Sequence, residues 1–320
     1  MSGIGGRSPD KRWRLLAVIG ILPVAIAAIF MLTSTPLMHS PETPDWTRVE
    51  GVIGLNGSVL PDGTFIISLP RDDIQIIIED VKLNQEMAMH SWVAFTDMGH
   101  EAMMMGDLTL TTEELWITQN QLLRDGIDIT AIHNTLNNET PQVFDLHISG
   151  KGDPVKMAEA VRNATKAAKI TYSDNTGNTS KKYFTGKEHV DQILGTSGTV
   201  EGGILQYSIP RAEKIMDDGM ELSPYMDVAT QLKFQALPEN SAAITGEFVM
   251  TADEVEPVLR TLNDNGIHVT ALHMHMLTEE PRLFYLHFWA VGDQLALARG
   301  LRDAVNQTNS VKAGYTEIKK

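Results

Sequence analysis

The feature that most constrains the fold is an internal duplication at an offset of 140 residues. Ser68-Leu69-Pro70-Arg71 returns as Ser208-Ile209-Pro210-Arg211, and Asp125-Gly126-Ile127 returns as Asn265-Gly266-Ile267. The run from Ala131 to Asp153 aligns with the run from Ala271 to Asp293, setting His133 over His273 and His147 over His287. Self-similarity over about a hundred residues means two copies of one structural unit. Comparing the copies separates what the unit needs from what one copy carries alone.

The duplication sets the domain plan. Repeat one is expected over residues 46–168 and repeat two over 188–314, joined by a polar, turn-rich linker over 169–187. Ahead of them, a basic stretch (1–14, with Lys11, Arg12 and Arg14) precedes an apolar segment over 15–33 and a Pro/Ser/Thr-rich linker over 34–45. The apolar run from Leu15 to Leu32 is long enough to cross a bilayer. With its positive flank on the N-terminal side, it directs the rest of the chain out of the cytoplasm. It reads as a transmembrane anchor; a cleaved signal sequence ending near Ala25-Ile26-Ala27 is the alternative.

Within each copy the pattern is α+β. A glycine-bearing hairpin opens it, with Asp62-Gly63 or Gly202-Gly203 at the turn. A stretch that differs between copies follows (72–89; 212–229) and has no clear assignment. Next come strands (SWVAFT; QLKFQA), then Gly106–Leu110 and Gly246–Met250. The latter lead into Thr111-Thr112-Glu113-Glu114 and Thr251-Ala252-Asp253-Glu254, both capping boxes. The helices that follow close at Gly126 and Gly266, and Pro257 is expected to kink the second or delay its start. Two strands and a final helix opened by Asp153 or Asp293 complete the unit. The order implies an antiparallel sheet with helices on one face, and two such sheets would cover each other as a pseudo-symmetric pair.

Chemistry points to the late hairpin. Read by strand parity, repeat two puts Leu272, Met274, Met276, Phe284, Leu286 and Phe288 on one face, taken as core, and His273, His275, Tyr285, His287 and Trp289 on the other. A turn near Glu279-Glu280 would set His273 across from His287, letting His273, His275 and His287 converge. Repeat one has His133, Asp145 and His147 on the matching face, with Thr135 in place of His275. Asp107 and Glu247 are candidate carboxylates beside each pair, Glu247 doubling as a general base. Imidazoles with a carboxylate suit a divalent transition metal such as zinc or copper. A histidine-lined small-molecule cleft and plain packing of a half-exposed sheet face are the alternatives. Sixteen methionines, Met87, Met89, Met103, Met104, Met105, Met274 and Met276 among them, add a Cu(I) reading; gap-filling in the core is the simpler one. Arg71 and Arg211 are expected to pair with local carboxylates rather than hold an anion.

Composition removes other classes. A net charge of −15 argues against nucleic acid. With no cysteine, disulfides, thiolate metal sites and a cysteine nucleophile are excluded. G-x-S-x-G, P-loop and dinucleotide motifs are absent. The remaining readings are a protein that binds a metal or small ligand, a metal-dependent hydrolase, and an envelope interaction protein whose histidines only pack.

The recurring pattern of Gly-Asp/Glu, Thr-x-x-Glu, Gly-Ile, Thr-Ala-x-His and Pro-x-x-Phe-x-x-His resembles the LppY/LpqO family of exported bacterial and archaeal proteins. Repeat two carries it at Gly246, Thr251, Glu254, Gly266, Ile267, Val269, Thr270, Ala271, His273, His275, Pro281, Phe284, His287 and Gly292, and repeat one at Gly106, Asp107, Thr111, Glu114, Gly126, Ile127, Thr130, Ala131, His133, Pro141, Phe144 and His147. The resemblance implies an exported, surface-tethered protein and supplies no activity. The chain departs from the lipoprotein members in lacking a lipid-bearing cysteine.

Overall fold

The structure, a computed structural model, describes residues 45–88, 91–173 and 183–311. The basic N-terminus and the apolar segment over 15–33 lie outside the described residues. No helix among the described residues is long and apolar enough to cross a membrane.

Repeat one opens on a helix, α1 (Trp46–Ile53), capped by the Asp45 carboxylate and closed by Gly54 at φ 84°. Then follow β1 (Ser58–Val59), β2 (Phe65–Ser68), the short ribbon β3 (Ile77–Ile78) and β4 (Val81–Lys82), α2 (Gln85–Ala88), β5 (Trp92–Asp97), β6 (Ala102–Thr111), α3 (Thr112–Arg124), β7 (Asp128–His133), β8 (Val143–Gly152) and α4 (Pro154–Ala167). Repeat two runs α5 (Lys187–Leu194), β9 (Thr199–Glu201), β10 (Ile204–Pro210), β11 (Met216–Asp217), β12 (Met220–Glu221), β13 (Ala229–Ala236), β14 (Ser241–Met250), α6 (Ala252–Asp264), β15 (His268–His273), β16 (Phe284–Asp293) and α7 (Gln294–Val305). The opening helices were not expected. Their signal is an i, i+4 apolar pair ahead of a left-handed glycine: Val49 and Ile53 before Gly54, Val190 and Leu194 before Gly195.

Each repeat builds a six-stranded antiparallel sheet in matching order, β1-β2-β5-β6-β8-β7 and β9-β10-β13-β14-β16-β15. The helices pack on one face and close a core around residues such as Phe65, Phe95, Leu108 and Leu146 in repeat one, and Tyr207, Phe234, Phe248 and Leu286 in repeat two. The α+β reading of two tandem domains with helices on one face of an antiparallel sheet therefore holds. Both capping boxes form: Glu114 and Glu254 each accept from the backbone N–H of their threonine at 2.8 Å. Helix α6 starts on schedule and runs through Pro257.

The same two glutamates also receive the two buried arginines. Arg71, 1 % exposed, donates to Glu114 at 2.8 and 3.1 Å, to Asp73 at 2.8 and 2.9 Å, and to the Thr109 carbonyl. Arg211 donates to Glu254 at 2.7 and 3.1 Å and to the Val249 carbonyl at 2.7 Å. The strand end, the next helix start and the β6 or β14 backbone are thus fixed by one planar donor fork, a geometry lysine lacks.

The second face of each sheet is covered by the other repeat. The stretches that differ most between copies are straps. In repeat one, Ile74, Ile76, Ile78, Leu83 and Met87 pack with Ile204, Ala243 and Trp289 of repeat two. In repeat two, Ile215, Leu222, Met226 and Val228 pack with Trp92, Ala94, Met103 and Met105 of repeat one. Polar contacts fasten the first strap: Asn84 N–H to Gln235 Oε1 at 2.7 Å, Lys233 Nζ to the Glu86 carbonyl at 2.8 Å, and Trp289 Nε1 to Glu79 Oε2 at 3.0 Å. These straps differ in sequence because each must fit the other repeat's surface.

Candidate metal centre

The inter-repeat space narrows onto histidines. Strand β6 beside β8 sets Asp107 directly across from His147, and β14 beside β16 sets Glu247 across from His287. Strands β7 and β15 bring His133 and His273, which stack with ring centroids 3.6 Å apart. His275 follows β15 and stacks on Tyr285 at 3.6 Å and on His147 at 3.8 Å. All five imidazoles expected to matter lie together, but as one group at the junction rather than one site per repeat.

Three sequence expectations are corrected. First, His273 pairs with Tyr285 and Ala271 with His287; likewise His133 pairs with Asp145 and Ala131 with His147. The hairpin centre lies one residue earlier than assumed, which slips the register by two and so keeps the histidines on one face. A bulge between Val269 and Ala271 (Ile129 and Ala131 in repeat one) absorbs an extra residue. Second, Leu272 and Met274 are not core. They are 46 % and 45 % exposed, because β15 is an edge strand and the chain leaves it after His273. Met276 is buried, but in the inter-repeat cluster with Met103 and Met105, where thioethers fill space. Third, the half-exposed face of the packing alternative is covered by the other repeat: His275 is 1 % and His287 6 % exposed.

Hydrogen bonding fixes which nitrogens are free. His287 Nδ1 donates to the Gly246 carbonyl at 3.2 Å, leaving Nε2 as the lone-pair nitrogen. His275 Nδ1 is held by the Asp227 carboxylate. The outcome is a set of buried ring nitrogens with no hydrogen-bond partner among the described residues: Nε2 of His275 and of His287, and both nitrogens of His273. Buried polar atoms are ordinarily satisfied. One nitrogen from each of His133, His273, His275 and His287 lies within 4.8 Å of the others. Donors of a tetrahedral ion with bonds of about 2.1 Å stand about 3.4 Å apart, so the rings must close inward to share one ion.

The electrostatics agree. Burial, followed by the mutual proximity of the rings, holds His147, His275 and His287 well below the ordinary histidine range; burial brings His133 to about 4 and His273 to about 3. The rings are therefore neutral, the form that ligates metals. Burial and neighbouring carboxylates push Asp107 and Glu247 well up, and burial raises Asp145 to about 6. Glu247 Oε2 lies 3.7 Å from His287 Nε2 and 3.9 Å from His275 Nε2. A cavity of about 240 Å³ adjoins the rings, lined in part by Asp107, Asp145, Asp227, Glu247 and Lys233.

Asp227 and Lys233 also belong to the site, and Asp227 carries no mark in the sequence. Asp227 sits in the repeat-two strap with φ 64°, a position visible only once the strap is seen to cross the partner sheet. Lys233 had a faint signal: it is the lone charge in a strand whose alternate residues, Leu232 and Phe234, are core. Of the methionines considered for copper, Met87 lines the cavity and Met104 is in the helical core of repeat one. Met89 lies outside the described residues.

Fold and site together define a duplicated α+β protein with histidines from both halves gathered at the junction, a grouping that could hold a metal ion. The chain belongs to the family described as Domain of Unknown Function (DUF1259), which it matches twice, over residues 47–167 and 188–307. No curated protein matches it.

Proposed function

We propose that this protein binds a divalent transition ion, zinc or copper, between its repeats, with His133, His273, His275 and His287 as ligands. The observation that carries the proposal is that four imidazoles from both halves of the chain bring one nitrogen each within 4.8 Å of the others, and that each of the four has a buried nitrogen without a partner, Nδ1 in the case of His133, whose Nε2 meets His147 Nε2 at 2.9 Å. A packing role would leave those nitrogens desolvated without compensation, at about 1–3 kcal/mol each. The test is elemental analysis of the purified full chain, and of the His273→Ala and His275→Ala variants. One or more ions per chain, lost in the variants, is the expected result; metal below a tenth of an equivalent after loading with zinc and with copper would refute it.

A second reading, a metal-dependent hydrolase, has one observation in its favour. Glu247 stands beside two of the free nitrogens, at the edge of the cavity, with its carboxyl pushed well up by burial and the neighbouring Asp227. A raised carboxyl next to a metal is the arrangement of a general base acting on metal-bound water. Turnover of ester, phosphoester and amide substrates by the loaded protein, abolished in Glu247→Gln, separates catalysis from storage or sensing.

The proposal also includes the location and the LppY/LpqO kinship. The basic N-terminal flank and the apolar run over 15–33 support an anchor that places the repeats outside the cytoplasm. Cell fractionation with protease access to intact cells tests it.

A further inference from the structure

We infer that the same junction takes a second divalent cation, held by Asp227, His147 and the Nδ1 side of His275, so that the His275 ring stands between two ions. This rests on the reading of the four-imidazole cluster as a metal site. The two edges of His275 face different groups. Its Nε2 has no hydrogen-bond partner and belongs to the cluster with His133, His273 and His287. Its Nδ1 turns the other way, onto Asp227 Oδ2. That same carboxylate oxygen lies 3.4 Å from His147 Nδ1. One donor atom from each of His147, Asp227 and His275 falls within 4.8 Å of the others, a second grouping with its own ligand set.

The cavity around this second grouping is lined by more carboxylates than cationic side chains. Asp107, Asp145, Asp227 and Glu247 line it, and Lys233 is the one lysine or arginine among the described residues that does so. Asp107 Oδ1 is buried without a partner and stands 3.9 Å from His147 Nε2. Carboxylates brought this close out of water need protons or cations. The step is a ligand exchange without redox change: as the second ion binds Nδ1, the proton now shared between His275 and Asp227 leaves for solvent.

Repeat one cannot supply this arrangement, because Thr135 occupies the place of His275. The Asp227 strap therefore serves a ring that only repeat two carries.

The experiment is metal stoichiometry on the full chain, titrated with zinc and then freed of loosely held ions, for wild type, Asp227→Asn and His147→Gln. Copper-loaded samples are read by electron paramagnetic resonance. The expected result is two ions per wild-type chain, one in each variant, and a Cu(II) signal that integrates to less than half of the copper present, because the shared ring couples the two spins. One ion in the wild type overturns the inference and leaves the first site standing, Asp227 then serving only to orient His275. Two ions with a full-intensity signal overturn the shared ring. No ion at all in the wild type removes both readings.

Discussion

The imidazoles of His133 and His273, equivalent positions of the two repeats, stack face to face with centroids 3.6 Å apart. The junction of the repeats is thus also the centre of the histidine cluster, and neither half contains the grouping alone. Replacing either ring should weaken metal binding comparably. For His133→Ala and for His273→Ala we expect a loss of at least the roughly 10- to 100-fold that follows removal of an outer-shell partner. Competition against a chromophoric chelator measures it, and unchanged affinity in His133→Ala would confine the site to repeat two.

Metal removal should cost stability across the whole chain, because the ligands come from both repeats. A ligand at a hundred times its dissociation constant adds about 2.7 kcal/mol. Thermal melts with and without a chelator should show one shifted transition rather than one repeat melting early. A melt in which only one half responds would contradict shared ligation.

Arg71 and Arg211 each hold a strand end to the next helix start through Glu114 and Glu254. Removing one partner of a buried pair typically costs about 3–5 kcal/mol, since the carboxylates stay behind unpaired. Arg71→Met and Arg211→Met should therefore destabilise by similar, large amounts in denaturant titrations. Values below about 1 kcal/mol would show that solvent replaces the arginine.

Acid should loosen the same clips. Burial pushes the Glu254 carboxyl up, but hydrogen bonds from Arg211 and from the Thr251 and Asn309 backbone amides outweigh it and hold it below its ordinary 4.5. A depressed carboxyl binds fewer protons folded than unfolded, so its contribution is complete above about pH 4.5 and lost as pH falls through the folded value. Stability of the apoprotein, followed by denaturant midpoint from pH 5 to pH 3, should drop less steeply in Glu254→Gln than in wild type. Equal slopes would remove Glu254 from the acid response.

Gly246 carries φ 154°, and a Cβ there would lie 2.0 Å from the Gln231 carbonyl oxygen. Gly246→Ala should cost more than the about 1–3 kcal/mol of ordinary overpacking, and displace the carbonyl that orients His287. Gly51→Ala in α1 meets nothing within 4 Å and should stabilise by about 0.5–1 kcal/mol. Matching effects at the two glycines, by chemical denaturation, would contradict this account.

Local physics made much of the fold legible. Thr111 to Glu114 and Thr251 to Glu254 announce helix starts by themselves, and Gly126 and Gly266 announce the ends. The face of the histidines was legible because a two-residue slip in register leaves side chains on the same side. What could not be read is whatever depends on the other repeat. The burial of His275, the gathering of His133 with His273, and the role of Asp227 all arise from two sheets meeting. No periodicity within one strand encodes that meeting. The straps were opaque for the same reason, since Ile76 and Ile215 answer to surfaces far away in sequence.

Because the two halves are one polypeptide, the pocket between them is free of the rule that binds a true dimer, in which every change at the axis appears twice. One chain can set a ring at position 275 and a hydroxyl at 135 in a single cavity. Fusion gives this chain a chamber whose opposite walls can be altered one residue at a time.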